Sequence, residues 1–202
     1  MDQHEVHTAG RLDGVTFLVV SGLPGSGKSA VARLLAENLC LPLISKDTIL
    51  EALFDTLGVG DDGWRGRLSR ASDEVLLAVA EQTQGAVLDN WWHHAWARER
   101  LPQLGGTLIE VFCNCPVEVA SARFRSRRRH PGHRDPELTD EEAAEGIAAV
   151  RRSFRGPLRL RGGLVTVDTS GPVEATTVVS AVRRLLSVSS TAEIRAGGSP
   201  QS

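Results

Sequence analysis

Eight residues, Gly22-Leu23-Pro24-Gly25-Ser26-Gly27-Lys28-Ser29, constrain this chain more than any others. They fit the spacing G-x-x-x-x-G-K-S/T and stand between two segments of opposite character. Before them runs Val15 to Val20 (VTFLVV), apolar and β-branched, which reads as a buried strand. After them Val31, Leu34, Leu35 and Leu39 recur at helical spacing. A glycine-rich turn from strand into helix lets successive backbone N–H groups point into one concavity, and the helix adds the positive end of its dipole. Such a cradle suits phosphate. Lys28 supplies a point charge for β- and γ-phosphates, and Ser29 a hydroxyl for Mg²⁺. All eight residues, Gly22 to Ser29, are therefore candidate nucleotide contacts.

The rest of the chain repeats the alternation. Short apolar runs at Leu43–Ile44, Ala86–Leu88, Thr107–Phe112 and Leu164–Val167 read as further strands. Helical patterns fall between them: Ile49 to Leu57, Val75 to Val79, Val119 to Phe124 after Pro116, and Val178 to Leu186. Thr139 and Glu142 form a capping box ahead of Ile147 and Val150. Strands alternating with helices predict an α/β fold, a three-layer αβα sandwich around a five-stranded parallel sheet. Gly22, Lys46, Asp89 and Asp168 each follow a strand, so the fold gathers them on the C-terminal edge of that sheet, where ligands bind.

With 202 residues, 41% apolar and 24% charged, the chain is long enough for one domain with a real core. We expect a leader over 1–13, the domain over 14–187 and a flexible Ser/Gly/Ala-rich tail over 188–202. A net charge of −2 argues against a broad nucleic-acid surface. No apolar run approaches the roughly 20 residues of a membrane span, and the polar N-terminus lacks a signal-peptide layout, so a cytoplasmic location is expected. Cys40, Cys113 and Cys115 match no zinc or redox spacing and read as reduced structural thiols. Of the 23 basic residues only Lys28 and Lys46 are lysine. Positions that keep lysine in an arginine-dominated chain are candidates for needing an ammonium.

Four segments, GLPGSGKS (22–29), ISKDTI (44–49), VLDN (87–90) and RFRSRRRHPGHRD (123–135), carry a resemblance to the P-loop small-molecule kinases related to nucleoside monophosphate kinases. Within that group the chain looks most like the chloramphenicol phosphotransferase, gluconate kinase and polynucleotide 5′-kinase branch. The resemblance spans about residues 15–187. It implies ATP and Mg²⁺ as cofactors and a small-molecule hydroxyl as acceptor. It makes Asp47 the base that accepts the proton of the attacking hydroxyl, a role that chemistry requires because an alcohol is a poor nucleophile. The alternative is a plain helix cap, a position at which Asp is favoured. Lys46 faces either phosphate or solvent. Asp89, at a strand end, holds Mg²⁺ with Ser29, contacts the acceptor, or only makes a turn.

The resemblance also implies a lid over about 123–138, with Arg123 and Arg127 clamping adenine and phosphates from one helix face. The alternative is a solvated basic helix end. Asp168 and Thr169 fall where related kinases line the adenine, or they close a turn. Trp91 and Trp92 point different ways from one loop, so one can pack while the other walls an acceptor pocket with His93 and His94. A metal site on that His pair lacks a third ligand. Residues 58–73 read as a loop covering the acceptor. The expectation is an ATP-dependent kinase acting on a small-molecule hydroxyl. The alternatives are a polynucleotide or nucleoside 5′-kinase, or an ATPase regulator without a transfer step.

Overall fold

The computed structural model describes residues 14–133, 149, 152 and 154–196, with side chains through Ser187. The first strand, β1 (Thr16–Gly22), is buried along its whole length, as a strand covered on both faces must be. It leads into α1 (Lys28–Leu39), which ends at Cys40 in a left-handed cap. The chain continues through β2 (Leu43–Ser45), α2 (Lys46–Leu57) and α3 (Asp62–Glu81). It then forms β3 (Gly85–Asp89), α4 (His94–Arg100), β4 (Thr107–Asn114) and α5 (Val117–Ser126). The last elements are β5 (Leu164–Asp168) and α6 (Ala175–Ala196). All neighbouring strands are parallel, in the order β2-β3-β1-β4-β5, so the five-stranded α/β architecture expected from the alternation is present.

Side chains alternate across β1. Leu18 and Val20 join Val31 and Leu35 of α1 and Val178 and Val182 of α6 in one apolar layer. Phe17 and Val19 join Leu76 and Leu77 of α3, Ala97 of α4 and Leu158 in the other. These two layers make the three-layer sandwich.

Three expectations change. Residues 58–73 are not a loop: α3 begins at Asp62, capped by Asp61, whose side chain accepts from Trp64 N. Leu68, Ser72 and Leu76, four apart, give this helix its buried face. Gly63, Arg67 and Arg70 occupy its solvent side, while Arg65 and Asp73 turn to partners outside the helix. The final helix continues to Ala196, well into the stretch read as a tail. Helix α5 stops at Ser126, so Arg123 and Arg127 do not share a helix face. Beyond it the described chain extends to one 3-10 turn at Pro131–His133. The leader over 1–13, Arg134, the rest of the lid segment and the Thr139–Glu142 box lie outside the described residues.

Candidate active site

The loop between β1 and α1 has the geometry of an anion cradle. Ser26 N donates to Leu23 O at 3.0 Å, closing a tight turn, and Gly27 caps the helix with φ +92°. Gly25 packs directly on α5: a Cβ there would sit 2.1 Å from Ala120 O. A Cβ at Gly27 would meet only the Thr169 Cβ, at 3.9 Å, so the space over the helix start is open. The Ser26 hydroxyl is buried and has no hydrogen-bond partner among the described residues.

Lys28 folds back so that Nζ donates to Leu23 O at 2.8 Å and lies 5.8 Å from the Trp91 ring centre. Burial pushes its pKa down to about 8, against the pull of Asp89. Asp89 stands at the end of β3 beside β1, in register with Val20. Burial raises its carboxyl above the ordinary range, and a hydrogen bond with Ser29 and the charge of Lys28 act the other way. The part-buried Ser29 hydroxyl beside the Asp89 carboxylate is an all-oxygen pair suited to Mg²⁺. Among the described residues no three His, Cys, Asp or Glu side chains cluster. The unpartnered Ser26 hydroxyl, the open cradle and this oxygen pair fit a magnesium nucleotide.

A cavity of about 280 Å³ opens beside the loop. Lys28, Ser29 and Asp89 line one part, and Asp47, Arg127 and Arg129 another. Asp47 is the second residue of α2 and makes no cap; Ser45 holds the cap position, without a side-chain bond. Instead Asp47 Oδ2 accepts from Arg129 Nη2 at 2.7 Å. Lys46 lines the same cavity, but its ammonium is engaged by a carboxylate. Its Nζ pairs with Asp73 Oδ2 of α3 at 2.8 Å, and Asp73 Oδ1 accepts from Asn90 Nδ2 at 2.9 Å.

The arginine-rich segment divides. Arg123 donates to the carbonyls of Thr169 (2.6 Å) and Ser170 (2.9 Å). It ties α5 to the loop after β5. Arg127 and Arg129 line the cavity and lie over the Phe124 ring, at 4.8 and 6.0 Å. After them His130 and His133 dock on α2: His130 Nε2 meets Asp55 Oδ1 and His133 Nε2 meets Glu51 Oε1, both at 3.0 Å. Gly132 lies flat on Phe54, and Arg65 donates to the carbonyls of Gly132 and His133.

The loop after β5 is occupied with its own structure. Thr169 is buried, its N and Oγ1 both donating to Asn114 O. Asp168 is exposed and accepts from Ser170 N, which holds its carboxyl below the usual range. The tryptophans separate as two adjacent loop residues should. Trp92 turns inward, its Nε1 donating to Val20 O at 2.8 Å and its ring stacking on Trp96. Trp91 stays part-exposed and walls the phosphate cavity. It also walls a second cavity of about 320 Å³, lined in addition by Ser21, Trp92, His93, Phe154 and Leu158. His94 Nε2 lies 2.9 Å from Gly156 O. All three cysteines are free, and burial pushes the Cys113 thiol up to about 12.

Sequence reasoning missed Asp73, Arg129, Phe124 and His133. Arg129 and His133 lie inside the arginine-rich segment 123–135. Asp73 lies on the polar side of a helix pattern, and nothing local distinguishes it from a solvated charge.

Known proteins agree with this geometry. The AAA domain family model matches residues 17–154. The adenylyl-sulfate kinase of Burkholderia ambifaria is 34% identical over 161 residues, covering 75% of this chain and 83% of that one. The shikimate kinase of Symbiobacterium thermophilum is 32% identical, covering 68% and 79%. A crystal structure described as a candidate kinase from Chloroflexus aurantiacus superposes with a TM-score of 0.75 at 31% identity, covering 85% of this chain and 98% of that one. A gluconokinase from Sinorhizobium meliloti shares the fold, with a TM-score of 0.60 at 19% identity over 91% and 98%. With a phosphate cradle of this form and matches of this extent, the chain belongs to the AAA domain family and stands among its P-loop kinases.

Proposed function

We propose that this chain is an ATP- and Mg²⁺-dependent kinase that transfers the γ-phosphate to a hydroxyl of a small molecule. The observation that carries the reading is the shared cavity: the Asp47 carboxylate, Lys28, Ser29 and Asp89 open onto one space of about 280 Å³. The loop amides and Lys28 hold the β- and γ-phosphates. Ser29 and Asp89 would hold Mg²⁺, which offsets charge on the phosphate oxygens. Asp47 orients an acceptor hydroxyl in line with the γ-phosphorus. The hydroxyl oxygen bonds to that phosphorus, the bond to the bridging β–γ oxygen breaks, ADP leaves and the hydroxyl proton passes to Asp47. Arg127 stands ready to neutralise transferring charge. Arg129 fixes the Asp47 carboxylate until an acceptor takes its place.

The test is γ-labelled ATP incubated with a panel of metabolites and antibiotics. Label should move to a hydroxylated compound. Lys28→Ala should abolish nucleotide binding or turnover, while Asp47→Asn should keep ATP affinity and lose transfer by roughly 10²-fold or more. Wild-type transfer by Asp47→Asn overturns the base role. Nucleotide-dependent partner binding without transfer would favour a regulator. A nucleotide acceptor is the second reading, favoured by the adenylyl-sulfate kinase relative and by Arg127 and Arg129 in the cavity wall. Label on a nucleotide in the same panel would identify it.

A further inference from the structure

One residue of the cavity lining carries an unmet hydrogen-bonding demand. Asn90 lines the cavity, yet the residue is only 4% exposed. Its Nδ2 donates to Asp73 Oδ1 at 2.9 Å. Only the amide nitrogen can donate to a carboxylate, so this contact fixes which way the amide faces. Its Oδ1 then points elsewhere, and it is buried without a hydrogen-bond partner among the described residues. Asp73 itself is held by Lys46 at 2.8 Å, so the carboxylate that orients Asn90 is neutralised and locked. Ser45 pairs with Asp89 across the sheet, so Lys46–Asp47 and Asn90–Trp91 leave neighbouring strands side by side. Asn90 therefore follows the strand next to the one that leads into the helix carrying Asp47.

A buried amide oxygen with no donor is unfavourable and rare in folded chains. Resting on the kinase reading above, we infer that Asn90 Oδ1 is a specificity contact that accepts a hydrogen bond from a second donor group of the acceptor molecule. The acceptor class is thus a polyhydroxylated compound or an amino alcohol, with one hydroxyl addressed to Asp47 and another hydroxyl or an ammonium to Asn90. Asp73 and Lys46 are positioning residues, acting only through the orientation of the Asn90 amide. An acceptor whose second polar group only accepts leaves the amide oxygen unpaired and is rejected.

The experiment compares acceptors in the unaltered protein, so that no variant has to fold. γ-Labelled ATP is offered with alditols, aldonates, aminoglycosides and amino alcohols, each beside analogues lacking a single hydroxyl or amine, and beside monofunctional alcohols. Compounds that gain label should all carry a second donor, and one particular deoxy or deamino analogue of each should lose about 10- to 100-fold in kcat/KM. Asn90→Val should erase that discrimination by lowering the parent to the level of its analogue, with MgATP affinity and thermal midpoint measured alongside. Asp73→Asn should weaken discrimination while leaving MgATP affinity intact. Label on monofunctional alcohols as readily as on polyols, or equal kcat/KM for every parent and analogue, overturns the Asn90 inference while the kinase reading stands. MgATP binding with transfer to no compound overturns both.

Discussion

Lys28 shows how a single buried group sets the conditions under which the site works. Its pKa of about 8 in the folded chain compares with 10.5 for an exposed lysine. Phosphate binding requires the ammonium, so above about pH 8 the protein must take up a proton to bind nucleotide. Calorimetric MgATP affinity should stay level from pH 7 to 8 and then fall, approaching tenfold per pH unit. The effect on folding has the opposite direction. Between pH 8 and 10.5 the unfolded chain holds a proton that the folded chain has released, so the nucleotide-free protein gains stability as pH rises. Gly25 gives a second expectation at this scale. Gly25→Ala combines a φ of +79° with a Cβ 2.1 Å from Ala120 O. It should lower stability by about 1–3 kcal/mol and weaken MgATP binding, read by thermal melting and calorimetry. Both residues were legible in the sequence, because the loop motif is local and its spacing carries its own geometry. Asn90 and Asp73 were not, because an amide becomes a contact only when a distant helix orients it.

At the scale of elements, α2 presents Asp47, Glu51 and Asp55 four residues apart on one face, and the segment after α5 answers with Arg129, His133 and His130. Burial lowers the pKa of His133, with Arg129 adding to the effect and the Glu51 hydrogen bond opposing it. The imidazole is therefore neutral at neutral pH. A histidine with a depressed folded pKa contributes stability above its ordinary value of 6.5, and that contribution is lost as pH falls below it. Backbone hydrogen exchange over residues 129–133, corrected for intrinsic rates, should accelerate as pH drops below about 6.5. Arg65→Ala removes two bonds to the carbonyls of Gly132 and His133 and should give the same loosening at neutral pH. The run HPGH reads as a mobile loop because prolines and glycines punctuate it. Its docking depends on partners more than seventy residues away, which local pattern does not reveal. The stretch 58–73 shows the reverse: it reads as a loop although most of it is helix, because only one residue in four of that helix is buried.

Across the whole molecule, one carboxyl group ties the segment before β5 to the centre of the sheet. Glu110 lies fully buried in the middle of β4, where the sequence TLIEVF read simply as a strand. It accepts from Ser21 Oγ of β1 and from the backbone N–H groups of Leu158 and Arg159. The segment leading to β5 is thereby fastened to the centre of the sheet. Glu110→Ala would leave three donors unmatched and should cost about 3 kcal/mol or more, lowering the melting midpoint by roughly 10 °C. Glu110→Gln should lose less. The alternation of strands and helices made the architecture readable, because parallel sheets need crossovers and buried strands need apolar runs. A polar residue embedded in such a run carries no local sign of what it binds.

Trp91 stands between the two cavities, a single indole forming part of the wall of each. A partition shared in this way makes the chambers mechanically dependent: any rotation of the ring that enlarges one encroaches on its neighbour. Whatever fills the compartment next to Lys28 thus helps decide the shape of the space on the far side of the tryptophan.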